Sequence, residues 1–395
     1  MNRELLDFAA RLDKIIQGRD ATPQAAGGTP RAARRVCSQR EQNHQIAPTL
    51  LKTDFNPLAL ELFALQFKFN SAYRKICEAR KLTPQIVEHW TQIPFVPTSA
   101  FKELELTSLA PDERTAVFHS SGTTEQKPSQ HFHCAESLAV YEASLWSWFE
   151  QKVLENSGFR IQDSESILLT PPPELAPHSS LVHMFEIVRQ KSGAPETVFI
   201  GKIATDGTWI LDFDATLAAL SPQAPRPAPH SLFLLGTAFS FVHLLDFLAE
   251  KNLRFQLPEN SRVMETGGYK NRSRTMPKAE LHSLIEKFLG IPRENIICEY
   301  GMSELSSQAY EVRSAKCEVR SFQFPRWART QIISPETGRE VRDGETGLIR
   351  IFDLANVFSI AAVQTEDLGI RRGDGFELLG RAQLAEPRGC SLMTA

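Results

Sequence analysis

Ser231 to Ala249 reads SLFLLGTAFSFVHLLDFLA, an apolar run of about the length that crosses a bilayer, and its reading decides what kind of chain this is. His243 and Asp246 lie inside the run, Pro229 precedes it, and Gly236-Thr237 divides it into a short buried strand and a helix. A strand that turns directly into a helix belongs to a layered α/β domain, so no membrane span is expected. The same alternation recurs around it. Ser166 to Thr170 reads as a strand and Ser179 to Lys191 as a helix. Glu196 to Gly201 and Thr208 to Asp214 repeat the strand signal. Arg262 to Gly268 is a strand closing on paired glycines, and Pro277 to Leu289 is a helix with proline near its first turn. Asn295 to Glu299 is a further strand that runs into Tyr300-Gly-Met-Ser-Glu304.

Upstream, the apolar residues from Leu58 to Lys81 recur at helical spacing and predict one core helix. Thr115 to Phe118 and Gln130 to Cys134 are strand-like, and Glu136 to Leu154 is a packed helix. From residue 321 the texture changes to short β runs between turn sequences such as Ser334-Pro-Glu-Thr-Gly338. The expected division is an N-terminal helix and mobile arm over 1–50, an α/β core over 51–320, and a β-rich subdomain with a tail over 321–395. Met1 to Ile16 is an amphipathic helix rather than a signal peptide, which makes the cytoplasm the expected compartment.

The chain carries 44 basic and 47 acidic residues for a formal net charge of -3, so no overall field favours nucleic acid or an anionic membrane. A small-molecule partner is expected. The cysteines Cys37, Cys77, Cys134, Cys298, Cys317 and Cys390 show no CxxC pair and no Cys/His spacing of the zinc-finger kind, and are read as reduced thiols.

Four separated stretches together describe a nucleotide site. In His119-Ser-Ser-Gly-Thr-Thr-Glu-Gln-Lys-Pro-Ser129, Gly122 lets backbone approach an anion, Ser120, Ser121, Thr123 and Thr124 offer hydroxyls, and Lys127 adds positive charge. Its spacing is not that of a Walker loop. Gly267-Gly268 presents bare backbone to a flat base. In Tyr300-Gly301-Met-Ser303-Glu304 the tyrosine can stack, the serine can donate to phosphate, and the glutamate is the hard oxygen donor that Mg²⁺ prefers. Asp367 can accept both hydroxyls of a ribose, and the Arg381 fork can bind ribose or phosphate oxygens.

This ordered set, SSGTT with a downstream lysine, GG, YGMSE, TEDLG, DGF and LGR, resembles the adenylate-forming superfamily, which activates carboxylic acids as acyl-AMP. Within it the chain is most similar to the acyl-protein synthetases of LuxE type. That likeness rests on Ile93-Pro-Phe-Val-Pro97 with Phe101-Lys102, on His119 to Ser129, Leu234-Leu-Gly236, Tyr300 to Glu304 and Arg388-Gly-Cys-Ser-Leu392, and it covers residue 51 to the end. It implies that Ser120 to Thr124 and Lys127 hold the phosphates of ATP, Glu304 helps bind Mg²⁺, Ser303 touches the α-phosphate, and Asp367 binds the ribose with help from Arg381. It also implies a fatty acyl group passed to Cys390 as a thioester and onward to a partner such as a reductase. Arg388 is placed to lower the Cys390 pKa.

Two departures bear on this expectation. Glu125 stands where many such loops carry glycine. Little chain follows Arg381, whereas larger members append a small domain with a catalytic lysine; Lys127 is the candidate to neutralise charge in its place. Two other readings stay open at this point: an acyl ligase whose direct acceptor is coenzyme A or a carrier-protein thiol, and a nucleotide-binding scaffold subunit without chemistry. His119, His243 and Glu299 are read as structural.

Overall fold

The computed structural model describes residues 2–18, 55–120, 127–154, 159, 161–194, 196–221, 231–268, 273–274, 276–313 and 320–382. Its helices are α1 (Arg3–Ile16), α2 (55–69), α3 (Ser71–Ala79), α4 (Ala100–Glu103), α5 (Ala135–Phe149), α6 (Ser180–Ser192), α7 (Phe213–Leu220), α8 (Ala238–Glu250) and α9 (Lys278–Leu289). The strands are β1 (Val96–Pro97), β2 (Ala116–His119), β3 (Gln130–His133), β4 (Ser164–Leu168), β5 (Thr197–Phe199), β6 (Gly201–Ile203), β7 (Trp209–Leu211) and β8 (Ser231–Thr237). They continue as β9 (Arg262–Thr266), β10 (Ile296–Tyr300), β11 (Ala309–Arg313), β12 (Arg320–Gln323), β13 (Ala328–Ile333), β14 (Thr346–Asp353), β15 (Ala362–Arg372) and β16 (Gly375–Arg381).

The apolar run of the opening is β8 followed at once by α8. Every residue of the strand is buried, and the Thr237 hydroxyl caps the helix by accepting from the Ser240 amide at 3.1 Å. Among the described residues no helix is long and apolar enough to cross a membrane. Alternate residues of β8 serve opposite layers, as the pleat requires. Leu232 and Leu234 pack with Phe241, Val263, Ile285 and Ile296 beneath α8 and α9, whereas Phe233 and Leu235 pack with Phe149, Phe185 and Met264 on the other face. Full burial of a side chain of this size contributes about 1.5–3 kcal/mol.

One sheet runs in the order β13-β14-β15-β16-β12-β11-β10-β9-β8-β4-β5, with β1 added alongside β15. From β5 to β10 neighbouring strands are parallel; from β10 to β13 they are antiparallel. The hairpins β2–β3 and β6–β7 stand outside it. The parallel half positions the site, because loops leaving the carboxyl ends of such strands line a crevice.

The expected helix over Leu58 to Lys81 is broken in two. Asn70 takes extended backbone angles (φ -103°, ψ 98°), and its side chain accepts from the Tyr73 amide at 3.0 Å to start α3. Hydrophobic periodicity runs through the break, but an asparagine that can cap competes with helix continuation. The expected strand over Glu196 to Gly201 also divides. Its first part pairs with β4, and Gly201 begins the separate β6–β7 hairpin.

Candidate active site

The segment from His119 to Ser129 joins β2 to β3, whose last pair is His119 with Gln130. Its two ends are fastened reciprocally: the Ser129 amide donates to Ser120 Oγ at 3.0 Å, and the Ser120 amide donates to the Ser129 carbonyl at 3.3 Å. Ser121, Gly122, Thr123, Thr124 and Glu125 lie outside the described residues. Lys127 is exposed at the exit. Its charge is felt at Glu105, whose carboxyl is held low first by its bond to Arg114 and to a smaller degree by Lys127.

The turn after β10 meets this hairpin. Ser129 Oγ and Ser303 Oγ lie 3.4 Å apart, Ser303 Oγ donates to Glu304 Oε2 at 3.1 Å, and His131 Nδ1 donates to the Ser303 carbonyl at 2.8 Å. The last bond fixes the proton on Nδ1, since a carbonyl can only accept. His131 is buried, and burial pushes its pKa down to about 4, partly offset by that same bond; the ring is neutral at pH 7. His133 lies 4.3 Å away centroid to centroid, and burial holds it well below the ordinary range. An uncharged imidazole pair thus backs the turn.

Gly301 leaves room that the Glu299 carboxylate fills. A Cβ there would stand 2.4 Å from Glu299 Oε1, and Glu299 is itself tied to the Thr266 hydroxyl across the parallel strands. Glu299 therefore braces the strand ends from inside. Gly267, at the end of β9, has φ +70°, which a side chain rarely tolerates; with Gly268 it forms an exposed stretch of bare backbone.

The antiparallel half supplies the other wall. Asp367 of β15 sits opposite Arg381 of β16, with Arg381 Nε 3.8 Å from Asp367 Oδ1. Tyr300 Oη donates to Asp367 Oδ2 at 2.8 Å. Burial raises the Asp367 pKa, against the lowering effects of the Tyr300 bond and of Arg381. The Tyr300 ring is buried edge-on against Phe324 and Phe376, so it presents its hydroxyl rather than an open face.

The structure thus gathers Ser120, Gly267, Gly268, Tyr300, Gly301, Ser303, Glu304, Asp367 and Arg381 around the carboxyl ends of β9 and β10. Residues not singled out from sequence complete the frame. Ser129 and His131 come from the strand side of the loop; the only sequence signal was the alternation Gln130-His-Phe-His133 directly after it. Buried Asp353 accepts from the Ser306 amide at 2.9 Å and the Ser307 hydroxyl at 2.7 Å, and Asn356 Nδ2 donates to the Glu304 carbonyl at 2.8 Å. Asp353 has its pKa raised to about 6 by burial, moderated by those hydrogen bonds.

The sequence model of the family described as "Acyl-protein synthetase, LuxE" matches residues 51–135 and 201–395. The chain belongs to this family. Acyl-protein synthetases that resemble it include the long-chain-fatty-acid–luciferin-component ligase of Aliivibrio fischeri, 24% identical over 86% of this chain and 87% of the relative. The protein of the same name from Vibrio harveyi is 25% identical over 82% of each chain. Among solved structures, a 2-hydroxyisobutyryl-CoA ligase in an open conformation with 2-HIB-AMP and CoA superposes with a TM-score of 0.58 at 13% identity, covering 86% of this chain and 70% of that one. That likeness concerns the fold, which is that of adenylate-forming ligases. This member of the acyl-protein synthetase family thus has a mixed α/β fold of the adenylate-forming-ligase kind.

Proposed function

We propose that this acyl-protein synthetase activates a long-chain carboxylic acid with ATP and passes the acyl group to Cys390, from which a partner such as a reductase takes it. The observation that carries the reading is the meeting of Ser303–Glu304 with the β2–β3 hairpin on one side and Tyr300, Asp367 and Arg381 on the other. A hydroxyl-rich phosphate end and a carboxylate–guanidinium ribose end then lie along the ends of β9 and β10. Asp367 accepts the ribose hydroxyls, with Arg381 beside it. Ser303 donates to the α-phosphate, and the hydroxyls and Lys127 of the loop hold the β- and γ-phosphates.

The buried carboxylate of Glu304, oriented by Ser303, is a hard oxygen donor of the kind Mg²⁺ takes, and the residues present fit that ion. Mg²⁺, when bound, offsets charge on the phosphates. In the first step a carboxylate oxygen attacks the α-phosphorus and the bond to the β-phosphate oxygen breaks, releasing pyrophosphate and leaving acyl-AMP. In the second the Cys390 thiolate attacks the acyl carbon and AMP departs. The choice of Cys390 rests on the likeness of Arg388-Gly-Cys-Ser-Leu392 to the family pattern. Cys77, Cys134 and Cys298 are buried, and burial raises each thiol pKa, that of Cys77 to about 12, so none is a ready nucleophile. Cys390, like Cys37 and Cys317, lies outside the described residues.

The test is acid-dependent exchange of labelled pyrophosphate into ATP across acids of increasing length, for wild type and Cys390→Ala. Exchange with a long-chain optimum that persists in the variant, together with a hydroxylamine-labile acyl-protein in the wild type alone, is expected. Acyl-CoA formation by the variant would instead make coenzyme A the direct acceptor. Failure of every acid to support exchange would remove the activation step.

A further inference from the structure

On the face of β9 and β10 covered by α9, three ligating side chains meet. Glu265 of β9 and Cys298 of β10 are paired neighbours in the parallel ladder, and His282 of α9 lies over them. His282 Nε2 is 3.5 Å from Glu265 Oε1 and 3.7 Å from Cys298 Sγ, and the three donor atoms all lie within 4.8 Å of one another. All three residues are buried, His282 and Cys298 at 2% exposure and Glu265 at 6%. We propose that Glu265, His282 and Cys298 form a buried site for a borderline divalent cation of the zinc class, which fastens α9 to the two strands that end at the nucleotide site.

The spacing suits that ion. Tetrahedral zinc with bonds of about 2.0–2.2 Å to nitrogen and oxygen and about 2.3 Å to sulfur holds its ligand atoms about 3.4–3.6 Å apart. Sulfur with imidazole selects zinc over Mg²⁺ or Ca²⁺, which take oxygen sets. His282 Nδ1 is buried without a hydrogen-bond partner, so the polar contacts of the ring run through Nε2 into the cluster. Lys278, one turn earlier on the same helix, bonds Glu311, and its charge also reaches Cys298 and Glu265. A nucleophile relay fits less well, because both contacts of the histidine use one nitrogen and the thiol is sealed from substrate.

No short spacing announces this site, since its ligands come from three elements. Glu265 stands two residues before Gly267, and Cys298 two before Tyr300. A cation here braces the roots of both site-forming turns.

The test uses full-length protein without a metal-affinity tag, stripped with a chelator and titrated with Co²⁺ and then Zn²⁺. One Co²⁺ per chain with a thiolate-to-cobalt charge-transfer band and the visible bands of a tetrahedral ion is expected, displaced by Zn²⁺ and unaffected by Mg²⁺. The band is lost in Cys298→Ser and in His282→Asn. Absence of the band in wild type, or its persistence in both variants, overturns the proposal. If the variants do not fold, X-ray absorption of the zinc-loaded wild type decides instead. One sulfur at about 2.3 Å with nitrogen and oxygen at about 2.0 Å supports the site; a shell without sulfur, or with several, refutes it.

Discussion

His131→Asn isolates the buried histidine on which the Ser303 turn rests. An asparagine amide can place its N–H near the position of imidazole Nδ1, so the bond to the Ser303 carbonyl is retained while the titrating group is removed. His131 moves from an ordinary pKa of 6.5 to about 4 on folding because burial disfavours its charged form. The unfolded chain therefore binds the extra proton first as the pH falls, and stability tied to this residue is intact above 6.5 and lost progressively towards 4. The gap, at about 1.4 kcal/mol per pH unit, comes to about 3 kcal/mol, of which about 2 kcal/mol is expressed by pH 5. Urea unfolding of wild type and variant at about pH 7.5, 6 and 5 measures it. The variant starts lower by a pH-independent packing cost, and the difference between the two proteins shrinks by about 2 kcal/mol on acidification. His133 is present in both; it is held low first by burial and to a smaller degree by His131 itself, so the variant also relieves part of its shift and the measured difference covers both rings. Parallel pH profiles would refute the argument, because they would mean that His131 is solvated or already protonated.

Other perturbations read the rest of the frame. Phe376→Ala removes a fully buried ring stacked on Phe322 at 5.6 Å, and should cost about 3–5 kcal/mol in chemical denaturation while weakening ATP binding. Tyr300→Phe deletes the donor to Asp367; about 1 kcal/mol of stability and a several-fold rise in KM for ATP are expected, with kcat changed less. Asp353 holds its proton up to about 6 in the folded state against 3.8 unfolded. Stability tied to it therefore falls as pH rises through that interval, by about 3 kcal/mol, and Asp353→Asn should abolish that slope in the same titration.

What could be read from the sequence was what is decided locally. The β8–α8 pair was legible because Gly236-Thr237 and the apolar run lie together, and the strand-end turns at Gly267 and Tyr300 because glycine and hydroxyl residues follow strand patterns directly. Asn70 was missed because capping and helix continuation compete within a single periodic stretch. His131, Asp353 and Asn356 were missed for another reason: each matters through a partner far along the chain, and nothing beside them announces it. The same holds for Glu265, His282 and Cys298, where spacing rules for zinc find nothing.

The position of β16 carries a consequence for how the molecule is made. This strand comes after the other described strands in the chain, yet it lies inside the sheet, between β15 and β12, and joins β12 through the single pair Phe322–Phe376. During synthesis the parallel half and the β13–β14–β15 meander emerge first, with no shared ladder between them until residues 375–381 leave the ribosome. That same strand brings Arg381 to Asp367 and seats Phe376 against Tyr300. A chain halted short of it has both sheet fragments and most of the loop residues, but lacks the Arg381 and Phe376 that flank Asp367 and Tyr300. The ATP site proposed above is thus complete only once the closing strand is in place.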